Sequence, residues 1–184
     1  RLEHAAEQAF YPWQFCFILG GGWRRASALA GSARAARADI VLAAAAIRQL
    51  ATRDARCSRD ALMQLIEGAL PIVDTDAAIA WLVAQRLLLG VDDLRCPHQR
   101  LASVILERIL EGQSSEGRQT IACMLKTVLG DEGMPLGGLS VLLSELSTAG
   151  EYRQWRRLVQ PPWLTPVLAR CWAATEPLDI RHSC

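Results

Sequence analysis

Apolar positions recur at helical spacing along most of the chain, and polar breaks divide the pattern into segments. From Asp39 the residues Ile40, Ala43, Ala44, Ile47 and Leu50 share one face of an alanine-rich helix that runs to about Thr52. Ser58 is placed to cap a second, shorter helix with Leu62, Leu65 and Ile66 inward. Pro71 closes that stretch, and Asp74 or Thr75 caps a third helix carrying Ile79, Leu82, Val83 and Leu87. Gly90 and Val91-Asp92-Asp93 then separate two short apolar runs, Leu87–Leu89 and Leu94–Cys96, which read as a small β-hairpin. After Pro97 a fourth helix holds Leu101, Val104, Ile105 and Ile109.

Further helices follow. One carries Ile121, Met124, Leu125, Val128 and Leu129, and another Leu139, Leu142, Leu143 and Leu146, with Gly130 and Gly150 expected as left-handed caps. Pro161-Pro162 precede a last helix with Trp163, Leu164, Val167, Leu168 and Trp172. Upstream, residues 3–19 read as a helix broken at Pro12, followed by a Gly20-Gly21-Gly22 turn and a short basic helix from Trp23 to Ala30. The fold expected is mainly α: a winged-helix-like core with a small β-hairpin, flanked by helical segments. No sequence period repeats clearly, although paired helices of this length are how α-solenoids begin.

Charge sharpens this division. Residues 1–59 hold nine arginines against four acids, net +5, and residues 60–145 hold six basic against twelve acidic side chains, net −6. The acidic middle opposes contact with phosphates or anionic lipid. The recognition helix of a DNA-binding winged helix presents Arg, Lys, Asn or Gln. Here the third helix opens with Asp74 and Asp76, offers only Gln85 and Arg86 at its far end, and is followed by Asp92-Asp93. Arg24, Arg25, Arg34 and Arg37 read as a solvated face, or as partners for the acidic middle or a neighbouring domain. Trp155 with Arg153, Arg156 and Arg157 reads as a packed aromatic with a solvated rim.

The longest early apolar run, Phe10–Leu19, contains Pro12 and falls short of the roughly 20 residues a membrane helix needs. Six of the eleven aromatic residues lie between positions 10 and 23, as expected of an edge that packs on something upstream. Six scattered cysteines, none at a zinc or redox spacing, point to a reducing cytoplasm and to no metal site.

No complete catalytic constellation stands out. The sole lysine is followed by a threonine, Lys126-Thr127, but Leu125 takes the place of the glycine a P-loop requires. Val128-Leu129-Gly130-Asp131-Glu132 reads as a helix end with acidic loop residues rather than a Walker B strand. Cys96 and His98 are close in sequence, yet nothing orients the imidazole towards the thiol as a nucleophilic pair demands. His98 reads either as a helix-start histidine satisfied by backbone or as a phosphate contact.

Three segments resemble the STAND class of signal-transduction P-loop ATPases, in the region after their nucleotide-binding core. They are Asp74-Thr75-Asp76-Ala77-Ala78-Ile79-Ala80-Trp81-Leu82-Val83, Arg86-Leu87-Leu88-Leu89-Gly90, and Leu94-Arg95-Cys96-Pro97-His98-Gln99-Arg100-Leu101-Ala102. In that family a hydrophobic–x–His–Asp signature opens the helix after the wing, and its histidine contacts the phosphates of ADP. His98 matches that histidine, while Gln99 stands in place of the acidic residue. The family's lid carries Gly-x-Pro, whose proline packs on adenine, and Phe10-Tyr11-Pro12 matches it at Pro12.

The resemblance implies a lid remnant at 1–38, a winged-helix-like domain at 39–111 and the start of a helical sensor region at 112–184. It also implies a non-catalytic regulatory and protein-interaction module that couples nucleotide state to a sensor. His98 and Pro12 would be its cofactor-binding residues, acting only with an ATPase core supplied from elsewhere in the parent. This chain by itself is expected to hold no cofactor, with ATP or ADP bound in the parent. Its expected partners are that ATPase domain and a protein trigger or a second copy, not membrane and not nucleic acid. The alternative is a winged-helix DNA-binding transcription regulator.

Overall fold

In the computed structural model the described residues are 22–52, 57–69, 74–148 and 158–179. The expected 3–19 helix with Pro12, the Trp155 cluster and Gly150 lie outside them. The described residues form eight helices and two short strands: α1 Gly22–Ala35, α2 Asp39–Ala51, β1 Cys57–Ser58, α3 Arg59–Glu67, α4 Thr75–Ala84, β2 Asp93–Leu94, α5 Gln99–Glu111, α6 Ser115–Gly130, α7 Leu136–Thr148 and α8 Pro161–Asp179. The fold is mainly α, with a small antiparallel sheet.

α2 is the axis of the molecule. Twelve of its thirteen residues are buried, Arg48 being the exception, so it has no solvated face to match the single apolar face its periodicity predicts. A helix apolar all round belongs in the middle of a core. Ala43–Ala46 are too small to keep neighbours away on any side, and α1, α3, α4, α5, α6 and α7 all pack against it. At its end, a Cβ on Gly138 would lie 1.7 Å from the Ala51 carbonyl oxygen, so only glycine lets the first turn of α7 sit there.

The helix starts follow side-chain chemistry visible in the sequence. Ser58 Oγ accepts from Ala61 N at 3.2 Å, Asp74 Oδ1 from Ala77 N at 3.0 Å and Ser114 Oγ from Gly117 N at 3.1 Å. Each satisfies one of the N–H groups a helix leaves unpaired. The helix ends differ from expectation. Gly130 is the last residue of α6 and not a left-handed cap, because Gly90 is the one described glycine with positive φ. The turn there is made by Asp131, whose Oδ1 accepts from Gly133 N at 2.8 Å. The left-handed positions are instead Arg37 (φ 55) and Arg86 (φ 56). In both, the following residue bonds back across the last turn, Ala38 N to Ala33 O at 2.8 Å and Leu87 N to Leu82 O at 2.9 Å. These are Schellman ends closed by arginine where glycine is usual.

The two apolar runs around Gly90 meet as expected, though over one residue pair. Leu89 N donates to Arg95 O at 2.8 Å and Arg95 N to Leu89 O at 3.1 Å. Gly90 turns the chain with φ 103, and a Cβ there would lie 1.9 Å from Asp93 O. The second run has another neighbour that periodicity did not reveal. Leu94 pairs antiparallel with Cys57 and Asp93 with Ser58, and Arg59 N donates to Asp92 O at 2.8 Å. Two residues are too few to show an alternating pattern.

One core cluster runs from Ala30 in α1 to Val167 in α8, and so crosses both boundaries placed at 38/39 and 111/112. Ala26, Ala30 and Ala33 form the buried stripe of α1, which packs along α5 and α2. The short basic helix expected to stop at Ala30 continues to Ala35 because this stripe continues. No helix among the described residues is long and apolar enough to cross a membrane.

Candidate functional site

The segment from Cys96 to Arg100 joins the hairpin to α5 and contains His98, which the resemblance singles out. It is held from behind by one side chain of α2. Gln49, 1% exposed, accepts from Cys96 N at 2.6 Å and donates through Nε2 to Cys96 O at 3.3 Å. A side-chain amide thereby pairs with both polar groups of one buried residue, as a neighbouring strand would. Pro97 follows, exposed, and the chain turns outward.

His98 is the N-cap of α5. Its backbone is extended (φ −155, ψ 142), its Nδ1 accepts from Arg100 N at 3.0 Å, and its carbonyl accepts from Ala102 N at 3.0 Å. A nitrogen that accepts carries no proton, so the neutral ring has its hydrogen on Nε2. The side chain is exposed. This is the backbone-satisfied helix-start histidine, and its Nε2–H is the group left to meet an anion. One turn on, Glu145 of α7 receives Arg100 Nη1 at 2.6 Å and Ser103 Oγ at 2.5 Å, which ties α5 to α7. α1, the described part of the 3–30 segment, packs on the helix that His98 caps. Pro12, the other candidate nucleotide contact, lies outside the described residues.

The other candidates separate. Cys96 is fully buried while His98 faces out with Nδ1 engaged, so the pair does not form a thiol–imidazole couple. Lys126 and Thr127 are exposed on α6, where Thr127 Oγ1 donates to Cys123 O at 3.1 Å. Helical backbone at that point has its N–H groups in use and cannot cradle phosphate. Val128–Gly130 are helical and Asp131 faces Arg48 at 3.5 Å. Among the described residues no group of three or more His, Cys, Asp or Glu is placed to hold a metal ion.

The outward surface of α4 carries Asp76, Ala77, Ala80 and Ala84, with Gln85 and Arg86 exposed just beyond its end. Asp76 pairs with Arg59 at 2.5 Å, and Asp92 and Asp93 are exposed at the turn beyond. Arg24 and Arg37 are exposed, as a solvated face requires, but Arg34 is not. It bonds Ile109 O at 3.3 Å and lies 3.8 Å from the buried Asp39, which also accepts from Gln113. Sequence reasoning missed Gln49 and this cluster. The one available signal for Gln49 was an uncharged amide next to Arg48, between the apolar Ile47 and Leu50.

Comparison of the chain with family models, with curated proteins and with solved structures gives no significant match.

Proposed function

We propose that the chain is a non-catalytic regulatory module of a STAND-class signal-transduction ATPase, with residues 39–111 as its winged-helix-like domain. The observation that carries this is the order α2, β1, α3, α4, hairpin, with β1 alongside the second hairpin strand and His98 opening the next helix. The Gln49 amide fixes that junction to the central helix, so a force on α5 is transmitted to the rest of the core. In this reading His98 offers Nε2–H to a phosphate of ADP once the ATPase domain supplies the pocket, and the helices after residue 112 receive the trigger. The test is ADP release from the parent ATPase. His98→Ala and His98→Asn should both speed release and raise basal signalling, although asparagine preserves the helix cap. Unchanged release in both variants would remove the sensing role. A coding sequence upstream of Arg1 without a P-loop would end the class assignment altogether.

DNA binding is the second reading, because the same element order serves it. The outward surface of α4 carries the acidic Asp76 and no basic side chain, which argues against it, since phosphate neutralisation dominates affinity. Duplex binding measured at two salt concentrations separates the readings. The expected Kd is no tighter than the roughly 10⁻⁴–10⁻⁶ M of non-specific association, and tight, steeply salt-dependent binding would overturn the preference.

A further inference from the structure

Two side chains converge on one buried oxygen where α1, α2 and α5 meet. Asp39, the first residue of α2, leaves only 9% of its side chain exposed. A carboxylate taken out of water needs partners for its charge. Its Oδ2 accepts from Gln113 Nε2, a neutral donor in the turn between α5 and α6. Arg34 Nε lies 3.8 Å from the same Oδ2 and is buried without a hydrogen-bond partner. The far end of that guanidinium donates to Ile109 O at 3.3 Å. A buried N–H of a cation is rarely left unbonded beside a buried carboxylate, because charge-assisted pairs are the stronger ones. Here the stronger donor stands back while the weaker one holds the oxygen.

Both arms lie across glycines. A Cβ on Gly112 would collide with the Arg34 guanidinium, and one on Gly117 with the Gln113 amide. Gln113 stands immediately before Ser114, the cap of α6, so it moves with the first turn of that helix. We propose that Gln113 and Arg34 are alternative partners of Asp39, and that their exchange lets α6 shift against α1 and α2 without stranding the carboxylate. As Gln113 leaves, an approach of about 1 Å closes the Arg34–Asp39 pair to the roughly 2.7–2.9 Å of a charge-assisted bond. Shifts of about 1–2 Å are within the range of helices that slide while staying packed. The exchange stands apart from the nucleotide reading above; under that reading it governs how firmly the helices after residue 112 are held.

The test is a double-mutant cycle on the full chain, read by urea unfolding, with Gln113→Ala, Arg34→Met and both together. Alternative partners cover for each other, and only the double variant leaves Asp39 with neither. It should therefore lower the folding equilibrium constant by more than about threefold beyond the product of the two single effects. A smaller excess is what independent contacts give, and it would overturn the proposal. The second measurement is the Arg34 Nε–H proton resonance, assigned by its loss in Arg34→Lys. It should move downfield in Gln113→Ala, as the bond to Asp39 forms. That signal is read on a single variant, so it decides the matter even where the double variant does not fold. A resonance at the same position in wild type and Gln113→Ala would equally overturn the exchange.

Discussion

Gln49 shows how much one side chain can hold. Removing its amide takes a hydrogen bond from a buried N–H and from a buried C=O of Cys96, and a buried group that loses such a bond costs about 1–3 kcal/mol. Gln49→Leu, nearly the same size, should therefore lower stability by about 2–4 kcal/mol in urea unfolding, although it makes α2 more apolar. A loss below about 1 kcal/mol would mean that the Cys96 groups find water. Arg86 makes the opposite case. A non-glycine residue at φ 56 pays a steric cost that glycine avoids, and the side chain is exposed. Arg86→Gly should raise stability by about 0.5–1 kcal/mol, less any entropy gained by the unfolded chain. Arg86→Val should lower it, and thermal melts of the two variants should move in opposite directions.

At the scale of elements, the parts legible in the sequence were those with a local cause. Ser58 and Asp74 cap helices because an oxygen stands before a periodic apolar run, and Gly90 turns because no other residue fits there. What remained hidden depends on partners distant along the chain. β1 exists only because Leu94 lies beside Cys57, and α2 is buried on every side only because six helices surround it. Of the candidate site, the position of His98 at a helix start was readable, since Pro97 precedes it and apolar periodicity follows. The amide that braces Cys96 was not, because nothing near position 49 points to position 96. The cap also yields a measurable difference: His98→Ala should cost about 1 kcal/mol, and His98→Asn should recover most of it. Equal losses in chemical denaturation would show that the ring contributes by some route other than its Nδ1 acceptor.

For the whole molecule, the charge pattern divides the chain into three blocks while the core does not. α2 contributes to the packing of α1, of α3 to α5, and of α6 and α7 alike, within one cluster of buried residues. Denaturant unfolding should accordingly proceed in one transition, with tryptophan fluorescence and far-UV circular dichroism coinciding. Separated midpoints would show that residues 112–184 open on their own. The enclosure of α2 also has a consequence for exchange with solvent. Surface helices such as α8 can lose their amide protons to deuterium through small local openings, because little apolar surface has to be exposed. The amides of Leu42 to Ile47 have no such route, since every direction out of α2 is blocked by another helix. They should be the last to exchange, at a rate set by complete unfolding, and their protection measures the stability of the entire fold.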